Sequence, residues 1–242
     1  MSEKKGEFLS RTQLILGKEG IERLGKAKVI IFGVGGVGGY ALEALVRSGV
    51  EKIALVDADT VSISNLNRQI IATQRTLGEL KVEAAKDRAL SINPDAKITV
   101  YPIFYEEKTE NEIDLSQYDY VIDAIDTVSS KIRLIEDAKA KDVPIISSMG
   151  AGNKLDPTAF KVADIHKTSV CPLARVIRTE LKKRNIKNLK CVYSEELPVK
   201  AVANDEGANK GRHAPASLST IPSVVGLIIA NEVIKDISKI NG

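Results

Sequence analysis

Gly33, Gly35, Gly36 and Gly38 stand in the run Gly33-Val-Gly-Gly-Val-Gly38, directly after the β-branched stretch AKVIIFG and directly before GGYALEALVRSG. Glycines at this spacing let a backbone approach a phosphate, and the N-terminus of the following helix offers N–H groups and the positive end of its dipole. A second apolar run, KIALV, leads into Asp57, a position suited to holding a ribose hydroxyl of a dinucleotide or of ATP. Asp59 follows, either as part of that site or as an acid of a surface loop. Then come Asn65 and Arg68, three residues apart, which on one helical turn would face the same way. An arginine fork grips phosphate through two charge-assisted bonds. Lys81, near the start of the next helical stretch, offers a second cation or is a solvated helix lysine. Asp123 and Asp126 in VIDAIDT close a further apolar strand. One of them can hold Mg²⁺, which favours a carboxylate or two plus phosphate oxygens, while the other, Asp126 in particular, can cap the next helix.

These pieces fit a triphosphate better than a dinucleotide. Hydride transfer commonly needs a proton-relay group, often histidine. The two histidines, His166 and His213, fall outside the strand ends of the first half and read as a surface and a loop histidine. Bringing a carboxylate up to a triphosphate demands cations instead. Two unit charges about 4 Å apart repel by roughly 4 kcal/mol at an effective dielectric near 20. Arg68, Lys81 and a metal at Asp126 would cancel that repulsion in the transition state.

The elements that must position these groups alternate along the chain. Strands are predicted at 27–33, 52–57, 97–103, 118–125 and 143–149, and helices at 38–49, 78–94 and 129–141, after a helical preface at 10–26 whose Leu14, Ile15 and Leu24 share a spacing. Alternation of this kind predicts an α/β fold with a mostly parallel sheet and helices on both faces. After residue 150 the rhythm changes. TAFKVADIHKT reads as a half-exposed strand of an antiparallel extension, 172–187 as a basic amphipathic helix, 190–194 as a strand, 202–217 as a loop and 221–237 as a closing helix buried almost all round. No linker separates the halves, so residues 1–242 read as a single domain, with 27–150 the nucleotide-binding half and 151–242 the half that faces the substrate.

The 242 residues carry 35 basic and 32 acidic side chains, a net charge of +3, and are 43% hydrophobic. That balance excludes neither an enzyme nor a nucleic-acid binder, so the distribution of charge matters more than its sum. Two cysteines, Cys171 and Cys191, form no CxxC pair, which argues against a zinc knuckle or a disulfide framework and reads as two small buried hydrophobes. The polar opening MSEKKGEFLSRTQ and the lack of a long apolar run predict a cytoplasmic protein with no membrane contact. Arg175, Arg178, Lys182, Lys183, Arg184, Lys187 and Lys190 outnumber the single acid Glu180 in their stretch. Such a face attracts a phosphate backbone, unless it is a solvated amphipathic helix.

GVGGVG, then D-x-D-x-V-x-x-S-N-L-x-R-Q, G-x-x-K at 78–81 and D-A-x-D at 123–126, resembles the ATP-dependent adenylating enzymes of the ubiquitin-activating, ThiF and MoeB superfamily. The resemblance covers residues 11–150 and implies the Rossmann-like ThiF/MoeB fold. It implies roles for Asp57 on the ribose, for Asn65, Arg68 and Lys81 on the phosphates, and for Asp126 on Mg²⁺. It also implies that Arg11 reaches across a homodimer interface to the partner's triphosphate, and that a monovalent cation (Na⁺ or K⁺) accompanies ATP. The second half, through SSMGAGNKLDPT, ADIHKTSVCPLARVIRTELKKR, CVYS and IPSVVGLIIANEVIKDI, is similar to the tRNA threonylcarbamoyladenosine dehydratases. In those enzymes ATP activates a carboxylate on an anticodon-loop adenosine, a ureido oxygen closes a cyclic oxazolone, and AMP leaves. That likeness makes tRNA the partner of the basic face, with Lys210, Arg212 and His213 near it, and leaves room for a cysteine desulfurase and sulfur-acceptor system. Three rivals remain at this point: adenylation of the C-terminus of a ubiquitin-like sulfur carrier, a dinucleotide dehydrogenase, and a non-catalytic sulfur-transfer partner.

Overall fold

The computed structural model describes residues 3–200 and 215–239; the stretch with Lys210, Arg212 and His213 lies outside them. Two helices, α1 (Glu3–Phe8) and α2 (Ser10–Lys26), precede β1 (Lys28–Phe32), α3 (Gly38–Arg47), β2 (Lys52–Val56), α4 (Lys81–Ile92) and β3 (Lys97–Tyr101). The chain continues through β4 (Tyr120–Asp123), α5 (Val128–Ala140), β5 (Ile145–Ser148), β6 (Phe160–Asp164), α6 (Pro172–Lys183), β7 (Lys190–Ser194) and α7 (Thr220–Ser238). The seven strands form one sheet in the order β3-β2-β1-β4-β5-β7-β6. All neighbouring pairs are parallel except β6 with β7. The antiparallel extension is therefore the single edge strand β6, and β7 continues the parallel order beside β5.

The period of two in KVIIF places Val29 and Ile31 in one core and Ile30 and Phe32 in the other. Helices α3, α4 and α7 cover the first face, and α5 and α6 the second. From β1 the chain winds outward to β2 and β3, then returns to β4 on the opposite side of β1. The carboxyl ends of β1 and β4 thus diverge at a topological switch point, where open α/β sheets hold ligands. Among the described residues no helix is long and apolar enough to cross a membrane.

Four expectations need correction. In α2 the backbone breaks at Gly17, with φ 67°, so Leu24 is buried while Leu14 and Ile15 are 87% and 78% exposed. Helix α4 begins at Lys81, not 78, because Gly78 is left-handed and an isolated antiparallel bridge joins Thr60 to Leu80. Helix α6 ends at Lys183, since Asn185 adopts φ 56°; Lys187 lies beyond it and Lys190 opens β7. Helix α7 is buried along one face, with Leu227 exposed on the other. Its Gly226 lies so close to α3 that a Cβ would stand 2.3 Å from Val37 O. That contact fixes the start of α3, where the glycine loop ends.

Candidate functional site

At the switch point the glycine loop folds back on itself. Gly33 takes φ 85°, and a Cβ there would stand 2.6 Å from Ala124 O in the turn after β4. A Cβ on Gly38 would stand 1.8 Å from Gly33 O. No side chain fits either place, so the loop is closed by backbone against backbone. Gly36 backs onto Pro222 of α7 and Arg68 O, and Gly35 faces the Gln69 carboxamide. The first turn of α3 follows, with the backbone N–H groups that no helix can satisfy internally.

Asp57 ties that loop to β2. Its Oδ2 accepts the Val34 N–H at 2.7 Å and its Oδ1 the Asp59 N–H at 2.9 Å. Burial pushes the Asp57 carboxyl up from its ordinary value, and the Lys81 charge and the two backbone donors oppose that shift. Lys81 is only 7% exposed. Its Nζ donates to Asp59 Oδ2 at 2.6 Å and lies 3.9 Å from Asp57 Oδ1. The solvated-lysine reading is therefore excluded by the geometry. Lys81 is a buried cation held between two aspartates, and Asp59 is its direct partner and no stray loop acid. The Thr60–Leu80 bridge and the Lys81 N–H bond to Asp59 O bring these distant residues together.

Asn65 and Arg68 do not share an α-helical face, because residues Ile63–Asn65 form a 3-10 turn. The buried Asn65 folds its Oδ1 back onto the Ser62 N–H at 3.1 Å. Arg68 curls over the turn, donating through Nη1 to Ser64 O at 2.8 Å and Asn67 Oδ1 at 2.9 Å. Asn67 in turn donates to Ser217 O at 3.1 Å, which fastens this loop to the lead-in of α7. Sequence reasoning assigned nothing to Gln69. It is 7% exposed, and its Oε1 is buried without a hydrogen-bond partner among the described residues.

The two carboxylates after β4 separate completely. Asp123 is fully buried and paired with Lys131 on α5 at 2.8 Å, so it neither caps a helix nor faces a metal. Asp126 is exposed, and its Oδ1 accepts from the Thr127 hydroxyl at 3.4 Å. It is not the N-cap either: that position belongs to Thr127, which makes no side-chain cap bond. No cluster of three or more metal-ligating side chains occurs among the described residues. One exposed carboxylate suits Mg²⁺, which takes most of its ligands from phosphate and water.

Farther out, Arg11 is exposed in the first turn of α2, one turn from Leu14. The basic face of α6 is more paired than its composition suggests. Arg178 turns inward to the Thr168 carbonyl and hydroxyl, while Lys183 and Arg184 both bind Glu180 and Arg184 also meets Glu136. Arg175 and Lys182 stand exposed without an ion pair among the described residues. A groove of about 1050 Å³ beside the first turn of α5 is lined by Ser129, Arg133, Glu136, Glu180 and Arg184. Its arginines are already matched by glutamates, so it is no phosphate cradle. His166 is half-buried, not a surface group, with Nε2 3.0 Å from Ile186 O. Both cysteines are buried, and burial pushes the Cys191 thiol up to about 12, the opposite of what a nucleophile needs.

Residues 9–242 match the family model described as the ThiF family. The chain is 45% identical over 239 residues to the tRNA threonylcarbamoyladenosine dehydratase of Bacillus subtilis (strain 168), covering 95% of this chain and 94% of that protein. It superimposes on the crystal structure of the E. coli tRNA N6-threonylcarbamoyladenosine dehydratase TcdA in complex with AMP with a TM-score of 0.89 at 29% identity, covering 98% of this chain and 96% of that one. The same E. coli enzyme in complex with ATP gives a TM-score of 0.86 with the same coverage. Similarity to the sulfur carrier protein adenylyltransferase of Thermus thermophilus is 39% over 129 residues, only 52% of this chain and 47% of that protein.

Proposed function

The chain belongs to the ThiF family, and on that premise we propose that it is an ATP-dependent tRNA threonylcarbamoyladenosine dehydratase acting through one adenylation domain. In this reaction ATP is a substrate. A carboxylate oxygen of the threonylcarbamoyl group attacks the α-phosphorus and pyrophosphate leaves. The ureido oxygen then attacks the activated carbonyl and AMP leaves with the carboxylate oxygen, a net loss of water that gives the cyclic oxazolone.

The observation that carries this reading is the union, at one switch point, of a backbone-closed glycine loop, a ribose-suited carboxylate and a buried lysine. The glycine loop and the start of α3 receive phosphate oxygens. Asp57, whose carboxylate already orders Val34, accepts from a ribose hydroxyl. Arg68 keeps guanidinium donors beyond those spent on Ser64 and Asn67. Lys81 exchanges part of its bond to Asp59 for phosphate oxygen, and Asn65 holds the turn from which Arg68 projects. Asp126 is the residue for Mg²⁺, which when bound screens the charge between carboxylate and triphosphate. A monovalent cation belongs to the same reading, and turnover compared in K⁺, Na⁺ and choline salts tests it.

Arg11, with Leu14 and Ile15 exposed beside it, supports a homodimer in which each protomer lends an arginine to its neighbour's triphosphate. Arg175 and Lys182 are the strongest tRNA contacts of α6, with Arg178, Lys183 and Arg184 adding less. The setting is the cytoplasm, and any cysteine desulfurase or sulfur acceptor would be an accessory to the reaction, whose chemistry needs no thiol. The test is nucleoside mass spectrometry on tRNA bearing threonylcarbamoyladenosine, incubated with protein and ATP. A loss of one water supports the reading, and Arg68→Ala and Asp126→Ala should each abolish AMP release while tRNA binding persists. Pyrophosphate exchange stimulated by a sulfur-carrier protein and not by tRNA would replace it with the carrier-activating alternative.

A further inference from the structure

Lys131 on α5 and Asp123 at the end of β4 are both fully buried, at the carboxyl edge of the sheet. Lys131 Nζ lies 2.8 Å from Asp123 Oδ2, 3.2 Å from Ser147 Oγ and 3.0 Å from Ser148 O. The Ser147 hydroxyl donates to the same carboxylate oxygen, and Asp123 Oδ1 accepts the Ile125 N–H at 3.1 Å. Every ammonium proton therefore has an acceptor, and both carboxylate oxygens have donors.

Stability alone gives little reason for such a pair. Desolvating two charges offsets most of their attraction, and apolar side chains of similar volume often serve a core as well. What the pair does supply is geometry. Asp123 is aligned with Phe32 of β1 on one side and Ser147 of β5 on the other. Through Ile125 N–H it holds the turn that carries Asp126, and that same turn presents Ala124 O to Gly33. Lys131 ties α5, the helix leaving the turn, to the ends of β4 and β5. The turn is thus gripped at its entrance by Asp123 and at its exit by Lys131.

We propose that Lys131 and Asp123 are a positioning pair for the metal–phosphate site, holding the Asp126 turn in register with the glycine loop. The proposal rests on the assignment of Asp126 to Mg²⁺ above. Removing one partner leaves a buried charge and endangers folding, so the informative protein is the double variant Asp123→Asn with Lys131→Met. Asparagine keeps an acceptor for Ile125 N–H, and no bare charge remains.

Titration calorimetry with ATP, once in EDTA and once with saturating Mg²⁺, gives the gain in affinity that the metal confers. The double variant should bind metal-free ATP like the unsubstituted protein, lose about tenfold of the Mg²⁺-dependent gain, as loss of a residue that orients a ligand does, and release AMP more slowly at unchanged KM for tRNA. A double variant that keeps the full Mg²⁺ gain and turnover, while Asp126→Ala loses both, overturns the proposal and leaves the Asp126 assignment standing. An Asp126→Ala protein with an undiminished Mg²⁺ gain overturns that assignment instead, and the proposal with it. Should the double variant not fold, Ser147→Ala decides: it trims one hydroxyl from Asp123, and a reduced Mg²⁺ gain supports the proposal while an intact one overturns it.

Discussion

Lys81 and Lys131 are each less than a tenth exposed, and each is held by aspartate in a fixed geometry. Apart from Arg178, which turns inward, the arginines and lysines along α6 stand in solvent, and three ion pairs converge there on Glu180 and Glu136. Burial makes the difference. Around the glycine loop a charge has few accessible alternatives, so its position is set before any ligand arrives. Along α6 a salt bridge between exposed groups is worth little and can be exchanged for a phosphate of the proposed RNA partner. Preorganisation suits the proposed adenylation site. Exchangeable charge suits a face that, on the proposed function, accepts a large polyanion and releases it.

The most severe way to break the first region is Gly38→Ala. The added Cβ would stand 1.8 Å from Gly33 O, a backbone atom that cannot swing aside. Overpacking costs about 1–3 kcal/mol and occasionally more, and here it also pries open the glycine loop. Thermal melting should show a large loss of stability and calorimetry should show no ATP binding, while a well-folded variant with ordinary ATP affinity would mean that the loop is not closed on itself.

A smaller effect separates the two regions. Arg175→Glu and Lys182→Glu should each weaken tRNA binding about tenfold and lower the slope of log affinity against log salt by ~1, leaving ATP binding unchanged. Lys183→Ala should do distinctly less, because Glu180 already faces its ammonium at 2.7 Å. Filter binding across a salt series checks both. Equal losses at Lys182 and Lys183 would show that RNA displaces Glu180, and the exchangeable face would then be larger than the free structure displays.

The first half of the chain, residues 27–150, is the more legible in sequence, for a physical reason. Gly33 and Gly38 are dictated by backbone geometry, and Asp57 and Asp123 stand at strand ends, so short-range pattern suffices to find them. Partnerships made by long loops were not legible. Asp59 meets Lys81 only because the chain between them folds back through the Thr60–Leu80 bridge, and Asp123 meets Lys131 only once α5 has docked on β5. The shared α-helical face expected of Asn65 and Arg68 does not form, since three residues span different arcs in a 3-10 turn and an α-helix. On α6 the composition suggested one continuous basic stripe through Lys190. The left-handed Asn185 cuts it short, and Lys190 is spent on Asp236 and Glu232 of α7.

Gln69 is where the contrast between the regions can be sharpened with the smallest change. Its carboxamide is packed beside Gly35 with Oε1 buried and without a donor among the described residues, inside a region where the buried lysines Lys81 and Lys131 are both matched by aspartates. A buried acceptor left unpaired forfeits roughly 1–3 kcal/mol, whereas an apolar group of the same shape is neutral or stabilising. Gln69→Met, nearly isosteric, should therefore raise stability by about 1 kcal/mol, or roughly 2–4 °C in Tm for a chain of this size. A lowered Tm would mean that the carboxamide already contributes a bond to the free protein, which would leave the glycine loop with no unmet hydrogen-bonding group at its back. A raised Tm with weakened ATP binding would make Gln69 the one buried group of this region whose partner arrives with the nucleotide.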